Sequence, residues 1–165
     1  MVFEKTTHFI IIVFVICLAG CATGPSQRNH AVSVAVWDLE NLSFDKGNQP
    51  DLGQMLSDEI IKTLQQHDGL QMVERQRLLL VLEELDLGSS ELADEYTRLQ
   101  VGLMVGAQQM VFGGYQVVGE SMRLDLRLVD VSSGKIITAA QKTTGAGDLA
   151  GWLRAAAEAA AEIVP

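Results

Sequence analysis

The chain has 165 residues, a formal net charge of −9, and 48% hydrophobic but only 5% aromatic residues. This length suits one domain with its own core, built here from aliphatic side chains. The acidic balance argues against a nucleic-acid partner, because nucleic acids are bound by basic patches.

The first predicted element is an export signal. Residues 9–18 are all apolar, and the small residues Ala19 and Gly20 lead to Cys21. An apolar run closed by small residues is typical of a secretory signal peptide, and it is shorter than the roughly 20 residues of a spanning helix. Leu18-Ala19-Gly20-Cys21 resembles the bacterial lipoprotein signal, in which the cysteine is acylated. We predict a signal peptide over 1–20, cleavage between Gly20 and Cys21, and lipid on Cys21.

The rest of the chain divides into a tether over 21–30 and one domain over 31–165. Residues 31–37 are apolar on both alternating faces, which predicts a central strand covered on both sides. The next predicted elements are a loop over 38–50, a helix over 52–66 capped by Asp51 with Met55 on its apolar stripe, a strand over 70–73 and a helix over 76–85.

The second half of the domain is predicted to hold a helix, three strands and a final helix. The third helix is capped by Ser90, with Leu92, Tyr96, Leu99 and Leu103 facing inward. Segments 110–119, 122–131 and 135–144 form an antiparallel meander, because tight turns connect them. Asp148 caps a final Ala-rich helix with an apolar stripe of Leu149, Trp152, Leu153, Ala156, Ala160 and Ile163.

The order βαβααβββα predicts a mixed α/β (α+β) fold. Two helical crossovers imply parallel neighbouring strands, and the meander adds antiparallel ones. We expect one mixed sheet of about four or five strands with helices packed on it.

The search for chemistry gives no catalytic residues, no metal site and no cofactor. His30 and His67 have no ligand or triad partner at a suitable spacing. Gly113-Gly114 lacks the strand-to-helix context of a phosphate loop and is interpreted as a strand bulge. Arg75 stands at a helix start, where the dipole disfavours a cation, so it should pair with a fixed acid.

One strand carries a polar face that could bind a partner. Arg123, Asp125 and Arg127 alternate with apolar residues over segment 122–131, so they share one side of the strand. Two interpretations remain open: a solvated sheet face, or a docking face for another protein.

Several segments together resemble the CsgG family, the curli production assembly and transport lipoproteins. The first are Val73-Glu74-Arg75 and Leu82-Glu83-Glu84-Leu85, and Gly106-Ala107 and Val111-Phe112-Gly113-Gly114 follow. The stretch from Leu126 to Ile136 continues the pattern, so that the resemblance runs from about Val32 to Ala140. It implies a periplasmic domain anchored to the outer membrane through the acylated cysteine.

The family's curli channels are oligomers in which each subunit inserts two β-hairpins into the membrane. At the corresponding places this sequence has the turn Gly119-Glu120 and the short stretch Gly145-Ala146-Gly147. A spanning hairpin needs roughly 20 residues, so we expect no pore. The pore's constriction loop would fall near 41–50, where Phe44 is the only aromatic residue and a possible partner-facing one.

Two functions follow from the resemblance. One is a non-enzymatic assembly or secretion accessory in the periplasm, held on the outer membrane by acyl chains, which binds envelope proteins or forms homo-oligomers. The alternative is an activator of a peptidoglycan synthase of the LpoB type, or an envelope lipoprotein of the flagella-associated FlgO type.

Overall fold

A computed structural model describes residues 31–44, 52–86 and 94–164 of the chain. Its elements are, in chain order, β1 (Val32–Val36), β2 (Glu40–Asn41), α1 (Leu52–Leu64), β3 (Leu70–Met72), α2 (Arg75–Glu84), α3 (Glu95–Met104), β4 (Gln109–Val118), β5 (Ser121–Asp130), β6 (Ile136–Gly145) and α4 (Leu149–Ile163). The predicted order βαβααβββα and the mixed α/β class are confirmed. The two-residue strand β2, inside the predicted loop, was missed.

The strands form one mixed, six-stranded sheet in the order β3-β1-β4-β5-β6, and β2 also pairs with β4. Strand β1 is parallel to both β3 and β4 because helices connect these strands and return the chain to the starting edge. Strands β4, β5 and β6 are antiparallel, as the tight turns predict.

The turn between β4 and β5 contains two residues, Gly119 and Glu120, between the paired Val118 and Ser121. Gly119 has φ 58°. A glycine with positive φ at the first central position is what a type II′ hairpin turn requires. This connection therefore closes directly, without an inserted segment.

The interpretation of Gly113-Gly114 as a bulge is wrong. Both glycines pair in register with β5, opposite Leu126 and Asp125. A Cβ on Gly113 would lie 2.5 Å from the Asp125 carbonyl oxygen, so the close approach of β5 excludes a side chain there. The irregularity in this part of the sheet lies instead between β5 and β6, at Leu128/Val129.

The two faces of the sheet carry separate apolar clusters. Along β1 and the residue after it, Val34 and Val36 belong to one cluster, while Ala35 and Trp37 belong to the other, as strand alternation requires. The first cluster, which we call the closed face, joins the sheet to α1 and α4. The second joins it to α2 and α3.

Helix α3 differs from its prediction. It begins at Glu95, and its N-cap is Asp94, whose side chain accepts a hydrogen bond from the Thr97 N–H. Tyr96 is 71% exposed and Leu103 is 50% exposed, so neither faces inward. The residues buried on this helix are Val101 and Gly102.

The other helices follow their predicted stripes with local exceptions. Met55 on α1 and Leu149 on α4 are exposed. Asp148 stands at the N-cap of α4 but makes no capping hydrogen bond, and its carboxylate contacts Arg154 instead. The predictions for 1–30, including Gly20, Cys21 and the tether, lie outside the described residues, as do the caps Asp51 and Ser90 and the inward position of Leu92.

Candidate interaction surface

Strand β5 presents opposite chemistry on its two sides. Met122, Leu124, Leu126 and Leu128 are buried on the closed face. Arg123, Asp125 and Arg127 lie on the other side, and the two arginines are exposed. Helices α2 and α3 pack on β1, β4 and the end of β5, so the described helices leave this polar row uncovered.

Within this row, Arg123 and Asp125 form an ion pair along the strand. The Arg123 Nε donates to Oδ2 of Asp125 at 2.8 Å, and its NH2 group donates to Oδ1 at 2.7 Å. These hydrogen bonds raise the pKa of the Arg123 guanidinium. Arg127 has no ion-pair partner among the described residues, which leaves its charge available to a ligand.

Phe44 lies at the same end of the β4–β5 hairpin as Arg123. The Leu42 N–H donates to the Tyr115 carbonyl, and the Ser43 hydroxyl accepts a hydrogen bond from the Val117 N–H at 2.9 Å. Residues 42–43 therefore run beside β4, and Phe44 follows them with 96% of its surface exposed. On the other side of β4, Gln116 is paired with Arg123.

The polar row continues onto β6. Ala139, Gln141 and Thr143 stand opposite Arg127, Asp125 and Arg123, respectively. All three β6 residues are exposed. We call Phe44, the β5 row and these three residues the open face. Its exposed charges and its exposed aromatic ring are suited to docking a macromolecule.

Arg75 does pair with a fixed acid, as the sequence predicts. Its Nε donates to Oδ1 of Asp38 at 3.0 Å, and its NH2 group donates to Oδ2 at 2.6 Å. Hydrogen bonding to Asp38 raises the pKa of the Arg75 guanidinium. Asp38 follows β1 and Arg75 opens α2, so the pair connects the ends of two parallel strands. Both carboxylate oxygens are engaged, which is the arrangement of a structural ion pair.

A neighbouring cluster was not found from the sequence. Arg98 of α3 pairs with Glu40 of β2 and stacks 5.7 Å above the ring centroid of Trp37. Arg98 is more than fifty positions from both Trp37 and Glu40, so no local pattern links it to them. The cluster connects α3 to β2 and to the end of β1.

The described residues contain no group of three or more His, Cys, Asp or Glu side chains that could hold a metal ion. None of the helices within 31–44, 52–86 and 94–164 is long and apolar enough to cross a membrane.

The sheet and its two helical layers define a small mixed α/β domain, and comparison with known families identifies which one. The sequence profile of the family described as "Curli production assembly/transport component CsgG" matches residues 22–117. This match covers more than half of the chain, so the chain belongs to the CsgG family. By sequence alone, it matches no curated protein.

Solved structures share the fold at low sequence identity. The LpoB C-terminal domain from Escherichia coli superposes with a TM-score of 0.58 and 15% identity, over 74% of this chain and 88% of that one. The same domain from Salmonella enterica gives 0.55 and 18%, over 70% and 83%. Lipoprotein GNA1162 from Neisseria meningitidis gives 0.57 and 13%, over 71% and 82%. At these identities the similarity establishes the fold.

Proposed function

We propose that this chain is a periplasmic lipoprotein of the CsgG type, anchored in the outer membrane through acyl chains on Cys21. It acts as a non-enzymatic assembly or secretion accessory that binds envelope proteins and is not itself a pore. The observation that carries the proposal is the family match over residues 22–117, which begins directly after the predicted lipidated cysteine.

The connections between strands support an accessory rather than a channel subunit. Strands β4 and β5 are joined by Gly119 and Glu120 alone. Strand β6 ends at Gly145, and α4 begins at Leu149. A spanning hairpin needs roughly 20 residues at each of these places. We therefore expect the lipidated protein to give no steady single-channel currents in planar bilayers.

The open face is the surface that we assign to partner binding. Arg127 supplies a charge without an ion-pair partner among the described residues, and Phe44 supplies an exposed aromatic ring; both residue types are enriched in protein interfaces relative to the rest of the surface. The Arg123–Asp125 pair between them is already formed, so its side chains lose less freedom on binding.

Anchoring is tested by cell fractionation of Cys21→Ser beside Cys17→Ser. We expect Cys21→Ser to leave the outer membrane, because acyl chains are its only predicted membrane contact and stable anchoring takes two or more of them. Cys17→Ser changes a residue of the predicted signal peptide and should fractionate like the wild type. A Cys21→Ser protein that stays firmly in the outer membrane would refute the anchor.

A second function is favoured by the superposition on LpoB C-terminal domains. In that alternative the chain activates a peptidoglycan synthase, or serves a flagella-associated process as FlgO-type lipoproteins do. Crosslinking in intact envelopes followed by affinity capture separates the alternatives. Recovery of secretion or assembly proteins supports the accessory function, and a peptidoglycan synthase as the main captured protein supports the alternative.

A further inference from the structure

Strand β6 is an edge of the sheet with a long free side. It runs from Ile136 to Gly145, ten residues, and β5 is its only strand neighbour in the described parts of the chain. The opposite edge, β3, has three residues. An edge strand presents unpaired N–H and C=O groups that can pair with another strand.

The hydrogen bonds next to β6 show which residues present these groups. The Ala146 N–H donates to the Glu120 carbonyl at 2.8 Å. In an antiparallel pair, hydrogen-bonded positions recur at every second residue, so Ala140 and Lys142 bond to β5. The backbone groups of the alternate residues Ala139, Gln141 and Thr143 therefore point away from the sheet, and all three residues are exposed.

The free stretch has a defined centre. At its start, the irregularity opposite Leu128/Val129 breaks the regular edge near Ile136. At its end, the Gly145 carbonyl accepts a hydrogen bond from the Trp152 Nε1 at 2.6 Å and is already occupied. The residues that remain between these limits are centred on Gln141.

We propose that this edge binds β6 of a second copy of the chain, antiparallel, about a twofold axis at Gln141. In this register Gln141 faces Gln141 of the second copy, and Ala139 faces Thr143. Each such pair exchanges two backbone hydrogen bonds. A closed twofold contact uses the same patch on both copies and cannot propagate into a fibre.

Charge disfavours one neighbouring register. Pairing centred one residue later would place Lys142 directly opposite Lys142 of the second copy, and like charges there are destabilising. In the register centred on Gln141, Lys142 faces Ala140 instead. Lys142 also keeps its contacts to Glu162 and Glu158 on α4, which raise its pKa.

The exposed residues of this edge favour a second copy of the chain over a foreign peptide. Foreign strands gain specificity from pockets that receive alternate side chains, whereas Ala139, Gln141 and Thr143 form a row of exposed, uncharged side chains. Two chains of charge −9 repel at most surfaces, and this uncharged row is where they can approach. The strand contact is small, so we expect a weak, concentration-dependent dimer.

Cysteine crosslinking tests the axis. In full-length chains carrying Cys17→Ser and Cys21→Ser, we expect Gln141→Cys to form a disulfide-linked dimer under copper–phenanthroline oxidation. The matched control is Thr143→Cys, on the same strand and the same side. Its two copies would be separated by roughly 14 Å along the strands, beyond disulfide reach. A mixture of Ala139→Cys and Thr143→Cys chains should crosslink again.

Non-covalent association is tested by sedimentation of chains that carry the same Cys17→Ser and Cys21→Ser substitutions. Gln141→Pro removes an outward N–H and no β5 hydrogen bond, so the monomer should keep its fold by circular dichroism while the dimer is lost. Gln141→Lys should abolish the dimer through like charges, whereas Gln71→Lys, an exposed glutamine on the opposite edge β3, should not. Three results would overturn the proposal. Gln141→Cys and Thr143→Cys could crosslink equally, the dimer could survive Gln141→Pro, or the chain could form no dimer up to millimolar concentration.

Discussion

The two faces of β5 show how this domain separates stability from binding. On the closed face, Leu124 and Leu126 are fully buried beneath α4 and its neighbours. One residue away on the open face, Arg123 and Arg127 meet solvent because α2 and α3 end short of them. A substitution on the closed face should therefore change the free energy of unfolding, and a substitution on the open face should change partner binding.

The largest expected effect comes from Leu124→Ala. Leu124 has no exposed surface, and removing its side chain leaves a cavity that costs about 2–5 kcal/mol of the free energy of unfolding. Arg123→Ala, one residue earlier on the open face, should leave the urea midpoint unchanged. Urea unfolding of Cys21→Ser chains measures both. Equal destabilisation by the two substitutions would erase the distinction between the faces.

Gly53→Ala should cause the second-largest loss of stability, because α1 lies close to the backbone that follows β1. A Cβ on Gly53 would lie 2.3 Å from the Leu39 carbonyl oxygen. The helix must move away, at a cost of about 1–3 kcal/mol. Gly147→Ala is the control, since a Cβ there meets no atom within 4 Å. Thermal unfolding that ranks Gly147→Ala as the more damaging change would contradict this packing.

Asp38→Asn should have a smaller effect. It breaks a two-point ion pair whose side chains are about one-quarter exposed, at 26% for Arg75 and 24% for Asp38. Hydrogen bonds to charged groups contribute about 1.5–3 kcal/mol, and partial exposure places this pair toward the lower end of that range. Asp125→Asn removes the corresponding pair from the open face and should not measurably change the unfolding midpoint. If both variants were equally stable, the Asp38 pair would not stabilise the domain.

The smallest effect concerns the β5–β6 turn. Hydrogen bonds from Ser133 and Ser132 to the Asp130 carboxylate lower its pKa. A lowered folded pKa stabilises the protein above the ordinary Asp value of about 4, and this contribution is lost as the pH falls through the folded pKa. In Ser133→Ala, NMR titration should show the pKa of Asp130 rising toward its ordinary value. An unchanged titration would rule out Ser133 as the cause.

Most of the fold was predictable because its strands and helices carry their periodicity locally. Strand β5 alternates between leucines and charges, and its two faces follow from this pattern alone. Strand β2 could not be predicted, since Glu40 and Asn41 are polar and are in a strand only through distant pairing with β4. The inward face of helix α3 was predicted only in part: Leu99 packs against the core, whereas Tyr96 and Leu103 are exposed. Gly102 is buried instead, where a Cβ would lie 2.3 Å from the Met110 sulfur.

The candidate surface was predictable only in part. The polar row of β5 follows from alternation, and the need of Arg75 for an acid follows from its place at a helix start. Nothing in the sequence selects Asp38 among the chain's acids, because the contact joins the ends of β1 and α2 across 37 positions. The approach of Phe44 to the Arg123 end of the hairpin likewise depends on β2.

Affinity capture after crosslinking in intact envelopes tests the central claim most directly, with Arg127→Glu compared with Arg77→Glu. Arg77 is an exposed arginine on α2, away from the open face. Reversing the charge of Arg127 should reduce recovery of the main envelope partner several-fold, because a negative group of the partner that attracts Arg127 would be repelled by the glutamate. The cellular level of the variant itself should be unchanged. Arg77→Glu should recover it as the wild type does. Equal recovery by both variants would show that the open face is not the surface through which this protein acts.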